Sequence, residues 1–175
     1  MERTIGYQVA RIITALLVAV PSSLAIATVT AATTCLPTTF NRDNHFLTAA
    51  QIGGTVSGSL DATGCDIGVY FTTHGIVTAG AQIFGARYFG VVNDGTSVTV
   101  EGASIHDIGD KPFDGSQHRV GIYFTNGGTG TIDGNTVSAY QKGGIVANGP
   151  ATTATITNNT VTGLGPVGFI AGNGI

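Results

Sequence analysis

One stretch of the sequence concentrates the residue types that carry chemistry. Positions 106 to 119 hold three aspartates, two histidines, one lysine and one arginine: His106, Asp107, Asp110, Lys111, Asp114, His118 and Arg119. Carboxylates supply oxygen ligands for a hard cation, and an arginine or lysine can pair with the carboxylate of an acidic ligand. A histidine can take up and release a proton near neutral pH. The stretch is therefore a candidate catalytic or binding loop.

The same stretch also has the composition of an ordinary exposed turn. Pro112 and Gly115 are turn residues, and exposed loops are normally polar. As a functional site, the loop offers Lys111 as a binding residue. It also offers five catalytic candidates, which are Asp107, Asp110, Asp114, His118 and Arg119.

A second pair of acids recurs at matching positions. Glu101 and Asp133 each stand directly before a glycine, Gly102 and Gly134. If the two segments are neighbouring strands, the carboxylates lie about 5 Å apart along the stack. They are weak candidate ligands for Ca²⁺, and two solvated carboxylates explain the pattern equally well. The sequence indicates no other cofactor.

Aromatic residues form the third candidate group. Tyr70-Phe71 and Tyr123-Phe124 are adjacent pairs, so in strands one member of each pair should face inward and the other outward. Outward tyrosines could stack on sugar rings. On this basis Tyr123 and Tyr140 are candidate carbohydrate-binding residues.

An internal repeat must position these candidates. A glycine followed by apolar residues recurs at intervals of 22, 31, 23 and 30 residues, at Gly68, Gly90, Gly121, Gly144 and Gly174. Between these glycines lies a second motif with Gly or Asn at its third position and Ile or Val at its sixth, as in Ile132–Val137. The repeat is about 22 residues long, and the two longer intervals contain insertions.

The repeat predicts stacked short strands. Val, Ile and Thr favour strands, while Gly and Asn tolerate the corners between them. One repeat cannot bury its apolar side chains alone, so neighbouring repeats must stack, with Asn and Thr ladders at the corners. The two insertions align on Phe113 and Phe169. We therefore expect both to leave the same corner, two repeats apart, and to frame a groove.

The patterns G-[IV]-x-x and x-[IV]-x-x-[GN]-N-x-[IV] over residues 65–175 resemble the repeats of the pectate-lyase-like superfamily. The resemblance implies an all-β fold, a right-handed parallel β-helix. The superfamily includes polysaccharide lyases, glycoside hydrolases, epimerases, tailspikes and adhesins, so it implies no single activity. Of its polygalacturonase-like catalytic motifs, only His74-Gly75 has a counterpart here, and it lacks the accompanying acids.

The first 64 residues do not match the repeat. Residues 1–27 have the order of a secretory signal peptide: Arg3 and Arg11, an apolar run, Pro21, and then Ala25-Ile26-Ala27 with its small residues at the cleavage site. An uncleaved anchor helix is the alternative. We expect residues 28–64 to form an N-terminal cap with an irregular first rung, and residues 65–175 to form the regular β-helix.

The two cysteines and the last residues complete this organisation. Export favours a disulfide between Cys35 and Cys65, the only cysteines, and two unpaired thiols are the alternative. The sequence stops at Gly174-Ile175, where another rung begins. We therefore expect a β-helix that is incomplete at its C-terminus, a fragment of a longer protein, unless a partner covers the end.

Charge limits the possible partners. The formal net charge is −3 and only 10% of residues are charged, without a basic cluster, so no nucleic-acid partner is expected. Cleavage of the signal would remove Glu2, Arg3 and Arg11 and leave a net charge of −4. No membrane association is expected after cleavage.

Three functional hypotheses follow. The first is a secreted or cell-surface protein with a structural role or a role in binding polysaccharide or a surface partner. The second is a polysaccharide lyase, glycoside hydrolase or epimerase with part of its site beyond residue 175. The third is an ice-binding face of Thr-x-Thr motifs such as Thr155/Thr157 and Thr160/Thr162, although these do not recur along the sequence as a flat array requires.

Overall fold

A computed structural model describes residues 33–175, and the predicted signal peptide at 1–27 lies outside these residues. Every regular element from Thr33 onward is a strand: β1 Leu36–Arg42, β2 His45–Val56, β3 Ser59–Asp61, β4 Ile67–Val77, β5 Gln82–Phe84, β6 Phe89–Asp94, β7 Ser97–Glu101, β8 Ser104–Ile108, β9 Val120–Thr125, β10 Thr129–Asp133, β11 Thr136–Tyr140, β12 Gly143–Ala147, β13 Thr153–Thr157 and β14 Thr160–Thr162. This part of the chain accordingly contains no helix with the length and hydropathy of a membrane span.

The strands stack into three parallel faces. Face 1 contains the first part of β2, the first part of β4, and then β6, β9 and β12. Face 2 contains the second parts of β2 and β4, followed by β7, β10 and β13. Face 3 contains β3, β5, β8, β11 and β14. The chain visits the faces in turn and so builds five rungs, which confirms the predicted parallel β-helix.

The glycines that recur near the start of the second to fifth rungs have a steric cause. Gly68, Gly90, Gly121 and Gly144 form one column on face 1, and each backbone lies against an inward-pointing Ile or Val of face 3. A Cβ added at Gly90 would lie 2.5 Å from the Gly121 carbonyl oxygen and 2.5 Å from a methyl carbon of Ile105. At these four positions only a residue without a side chain fits.

The space between the three faces is filled by aliphatic columns. Val69, Val91, Ile122 and Ile145 stack on face 1 and are completely buried. At the corner between faces 2 and 3, Asn135 and Asn159 form the predicted asparagine ladder. The Asn135 side chain donates to the Val100 carbonyl at 2.9 Å and accepts from the Ala103 amide at 2.9 Å. The ladder supplies partners for backbone groups at a corner that is otherwise buried.

The N-terminal segment covers the outside of face 1. Strands β1 and β2 form an antiparallel hairpin, and its tip crosses from the first rung to the fourth. Phe40 packs against the rings of Tyr70, Phe89 and Tyr123, at centroid distances of 5.8, 5.8 and 6.4 Å. Leu47 and other hairpin residues complete a second hydrophobic core outside the β-helix.

The hairpin overturns the prediction that one aromatic residue of each pair faces solvent. Tyr70 is 2% exposed and Tyr123 is 5% exposed, because the hairpin lies over both. Tyr140 is 2% exposed as well, since its ring packs in the main core. The predicted outer aromatic strip therefore does not exist among the described residues.

A disulfide ties the start of the hairpin to the second rung. Cys35 and Cys65 are bonded, with their Cα atoms 5.4 Å apart, and Cys65 is fully buried. The β-helix itself begins earlier than residue 65, because β2 already pairs in parallel with β4 from Ala49 onward. The stretch predicted as an N-terminal cap with an irregular first rung thus contains a first rung, and its hairpin lies beside the stack.

Face 2 carries short threonine columns. Thr99, Thr131 and Thr155 are in register on three successive rungs, as are Ser97, Thr129 and Thr153. Thr155 therefore has a threonine at the same position on each of the two preceding rungs. Thr157, in contrast, stands above Asp133 and Glu101, and these carboxylates interrupt the flat hydroxyl array that an ice-binding face requires.

Candidate functional site

The charged loop lies between β8 and β9, and Arg119 organises it. Arg119 is 4% exposed. Its guanidinium donates to Asp110 Oδ2 at 2.7 Å, to Asp114 Oδ2 at 3.3 Å and to Ser116 Oγ at 3.1 Å. Its Nε is buried and finds no partner among residues 33–175. This one side chain therefore fixes three points along the loop.

A second arginine shares Asp110. Arg87, on the rung below, donates to Asp110 Oδ1 at 3.0 Å and lies 3.8 Å from Asp66. Burial by itself would raise the pKa of Asp110, but the hydrogen bonds and charges of Arg87 and Arg119 outweigh it and lower that pKa. Asp110 is therefore held as an ionised carboxylate between two cations, which is the opposite of a general acid.

Asp114 is held from the rung above. Its carboxylate accepts from the Ser116 amide at 3.0 Å and from the buried Gln141 side chain at 3.1 Å, and these bonds lower its pKa. The neighbouring Gly115 approaches Phe169 in the second insertion, where an added Cβ would lie 2.9 Å from the Phe169 carbonyl oxygen. The two insertions thus touch at this point, whereas the sequence predicted a groove between them.

Asp107, Lys111 and His106 form a separate group on the outside of face 3. Lys111 and His106 both form hydrogen bonds with the Asp107 carboxylate. These bonds lower the pKa of Asp107, and Lys111 has the larger effect. The His106 ring stacks on Phe84 with a centroid distance of 5.2 Å. Beside them is a hollow of about 430 Å³ that is also lined by Arg87 and Asp110. We call it the loop hollow.

The fifth catalytic candidate is turned elsewhere. His118 Nε2 lies 3.1 Å from Asp43 Oδ1 at the tip of the hairpin. His118 lines a different hollow from Asp107 and Asp110. The five catalytic candidates therefore do not converge on one point. Each aspartate in these contacts already has a basic or amide partner, and these aspartates are Asp43, Asp107, Asp110 and Asp114.

Acid should weaken this arrangement. The pKa values of Asp107 and Asp110 are lowered below their ordinary value of 3.8, so the unfolded chain binds protons at a higher pH than the folded one. The stabilisation they contribute is fully present above the unfolded pKa and is lost as pH falls from about 5 towards 2. Urea unfolding across this range should show that loss, and the Asp110→Asn variant should be less stable at pH 7 with a shallower fall in acid. Parallel curves for the two proteins would contradict the assignment.

The candidate metal ligands are adjacent but partly occupied. Glu101 and Asp133 are paired in register on β7 and β10. Asp133 Oδ1 accepts hydrogen bonds from Thr157 Oγ1 at 2.6 Å and Asn158 Nδ2 at 2.8 Å, which lower its pKa. Within residues 33–175 no group of three or more acidic, histidine or cysteine side chains is placed to hold a metal ion. The structure thus offers Ca²⁺ only two ligand side chains here, well short of its usual coordination.

A polar groove that the sequence did not indicate lies beside the hairpin. It is a hollow of about 460 Å³ where the strands of face 1 end, between the hairpin and the turns of the third to fifth rungs. We call it the amide hollow. Hydrogen-bonding side chains dominate its lining: Thr39, Asn41, Arg42, Asp94, Asn126 and Asn148. Asp94 ends one face 1 strand, and Asn126 and Asn148 directly follow the next two. These polar residues at successive strand ends are the feature in the sequence that could have revealed the groove.

Two buried tyrosine hydroxyls orient the polar side chains of the amide hollow. The Tyr70 hydroxyl donates to Asp94 at 2.5 Å, and Asn126 donates to the other oxygen of Asp94 at 2.6 Å. Burial and then the Asp94 hydrogen bond raise the pKa of Tyr70 to about 12, so its hydroxyl remains a donor. The Tyr123 hydroxyl accepts from Asn148 at 2.9 Å and from Arg42. Tyr123 thus acts through its oxygen rather than through an exposed ring.

An adjoining hollow shares Arg42 and Asn148 with the amide hollow. It has a volume of about 270 Å³ and is also lined by His118, Lys142 and Tyr123. We call it the cationic hollow. The two hollows therefore lie side by side, with Arg42 and Asn148 in the lining of both.

Comparison with known proteins agrees with the architecture. Residues 50–175 match the family described as "Right handed beta helix region". No curated protein and no solved structure matches the chain. The narrower resemblance to pectate-lyase-like proteins stays a prediction. Since the matched segment covers well over half of the 175 residues, the chain belongs to the right-handed β-helix family.

Proposed function

We propose that this protein is a binding module that holds a polysaccharide in the amide hollow and acts outside the cell. The observation that carries the proposal is a groove in which hydrogen-bonding side chains from three successive rungs and from the hairpin meet. A hydroxyl-rich polymer needs such a row of donors and acceptors.

The spacing of these side chains suits an extended ligand. Asp94, Asn126 and Asn148 belong to the third, fourth and fifth rungs, and neighbouring rungs are about 4.8 Å apart. The side-chain carbonyl oxygens of Asn126 and Asn148 accept no hydrogen bond from the described residues, because their amide groups make the contacts to Asp94 and Tyr123. These oxygens remain free to accept bonds from sugar hydroxyls.

Two features support a location outside the cell. The predicted signal peptide would direct export, and disulfides such as Cys35–Cys65 persist in oxidising compartments. A secreted or cell-surface protein is the corresponding proposal.

The enzymatic alternative receives less support. Glycoside hydrolysis uses a pair of carboxyl groups, one of them with a raised pKa. Asp107, Asp110 and Asp114 instead have lowered pKa values and sit in ion pairs and hydrogen bonds. The loop hollow remains the place to look if turnover is found.

A glycan screen followed by titration tests the proposal. The chain should bind at least one of a panel of soluble and insoluble plant, fungal and bacterial polysaccharides. The Asn126→Ala/Asn148→Ala double variant should bind that polymer about 30-fold more weakly, because two hydrogen bonds of about 1 kcal/mol each are lost. The matched control is Gln82→Ala, an exposed amide on face 3, which should bind like the wild type.

The alternative outcomes are distinct. Equal affinity in the double variant would remove the amide hollow from the binding site. Release of reducing ends or unsaturated sugars from the bound polymer would show that the protein is an enzyme. Absence of binding to every polymer by a folded protein would overturn the proposal.

A further inference from the structure

The cationic hollow has features that polysaccharide hydroxyls do not require. Two full positive charges, Arg42 and Lys142, line a space of about 270 Å³, together with the imidazole of His118. Arg42 comes from the hairpin and Lys142 from the turn before β12 on the fifth rung. Segments far apart in the sequence therefore bring cations to one point of the surface.

Neither full charge is neutralised by a carboxylate of the described chain. Within residues 33–175 the salt bridges involve other basic residues: Arg87, His106, Lys111, His118 and Arg119. The Arg42 guanidinium donates to the Tyr123 hydroxyl and lies 5.2 Å from the centre of that ring. Lys142 Nζ donates to the Ala171 carbonyl at 3.0 Å. These contacts orient both cations, and neither forms a salt bridge with a carboxylate of residues 33–175.

The lining of the hollow strengthens the electrostatic attraction between these cations and an anion. Phe89, Val120, Tyr123 and Val146 form an apolar floor, and a low-dielectric wall raises the strength of an electrostatic interaction. The one carboxylate that contacts His118, Asp43, is already paired with it at 3.1 Å. Additional amide donors surround the space, from Gln117, Asn148 and Asn173.

We propose that the cationic hollow binds a compact oxyanion, a sulfate or phosphate group, either free or as an ester on a larger molecule. Arginine presents a planar fork of N–H donors that matches two oxygens of such a group, and lysine adds a point charge. The site stands independently of the polysaccharide proposal, because Lys142 lines the cationic hollow and not the amide hollow.

Titration of the whole chain at constant ionic strength tests this site, since salt screens exposed charges. The probes are sodium sulfate, sodium phosphate and dextran sulfate, with sodium chloride and unsulfated dextran as references. The test variant is Lys142→Gln, and its matched control is Lys111→Gln, an exposed lysine paired with Asp107 on the loop hollow. Calorimetry gives affinities, and the amide resonances of Gly143 and Asn173 locate the bound anion.

The expected result is binding of at least one sulfated or phosphorylated probe, weakened at least tenfold by Lys142→Gln and unchanged by Lys111→Gln. Arg42→Lys should also weaken it, because the charge remains and the fork is lost. Binding of the free anions assigns the site to free sulfate or phosphate, and binding of dextran sulfate alone assigns it to an ester. Equal affinity in Lys142→Gln, equal loss in Lys111→Gln, equal binding of unsulfated dextran, or no binding by the folded wild type would each overturn the proposal.

Discussion

Replacement of Gly90 by alanine should destabilise the protein by about 3 kcal/mol or more. The new Cβ would lie 2.5 Å from the Gly121 carbonyl oxygen and 2.5 Å from an Ile105 methyl carbon, both inside the stack. Overpacking of a core costs about 1–3 kcal/mol, and here one of the two obstacles is backbone that holds the next rung in register. Urea or thermal unfolding of the purified variant measures the loss, and poor folding during expression would be its extreme form.

The matched control is Gly168→Ala in the second insertion. Nothing lies within 4 Å of a Cβ added there, so the same chemical change should alter the free energy of unfolding by less than about 0.5 kcal/mol. If Gly90→Ala lowered the free energy of unfolding as little as Gly168→Ala does, neighbouring rungs would have to move apart easily to make room for the new methyl group. The steric explanation of the glycine column would then be wrong.

Replacement of Arg119 by methionine should loosen the charged loop and lower stability by about 2–3 kcal/mol. The variant keeps an apolar stem but leaves Asp110, Asp114 and Ser116 without the buried guanidinium that joins them. Removal of one partner from a buried ion pair costs about 3–5 kcal/mol, and the partial exposure of the two aspartates reduces that figure. Unfolding by urea gives the free energy, and hydrogen exchange should show faster exchange of amides across residues 109–119.

The matched control is Lys111→Met in the same loop. Lys111 forms its ion pair with Asp107 at the surface, where such pairs contribute about 0–1 kcal/mol. A loss at Lys111 as large as that at Arg119 would mean that loop charge in general, rather than the buried arginine, orders the loop. Arg119→Lys should not restore stability, because a lysine cannot bond three separated groups.

The repeat was predictable from sequence because its causes are local and recur. Gly90 and Gly121 are required by contacts with the next rung, and Gly68 and Gly144 repeat the requirement. The asparagine ladder likewise places one residue type, Asn135 and Asn159, at the same corner of two successive rungs. In a solenoid each repeat contacts its neighbours, so periodicity in the sequence reports directly on periodicity in space.

The outer surface of face 1 was not predictable in this way. Alternation correctly places Phe124 in the main core, but the exposure of Tyr123 depends on what lies over it. The hairpin lies over Tyr123, and its Arg42 donates a hydrogen bond to the Tyr123 hydroxyl although the two residues are 81 positions apart in the sequence. No repeat marks this contact, because it occurs once.

The charged loop was also predictable only in part. The sequence correctly identified the residues that concentrate charge, yet composition could not show how they are paired. Arg87 and Gln141 come from neighbouring rungs and take part in the hydrogen bonding of Asp110 and Asp114. These partners decide that the carboxylates are ionised and engaged, and only the stacked structure brings them together.

The hairpin also affects how the protein folds. A plain solenoid can add and lose rungs one at a time, since each rung touches only the next. Here Phe40 contacts the second, third and fourth rungs at once, so these rungs are joined into one cooperative unit. During synthesis the hairpin emerges before the rungs that it covers, and it has no complete docking surface until Tyr123 has been made. The hairpin is therefore made early and is among the last elements to reach its final position.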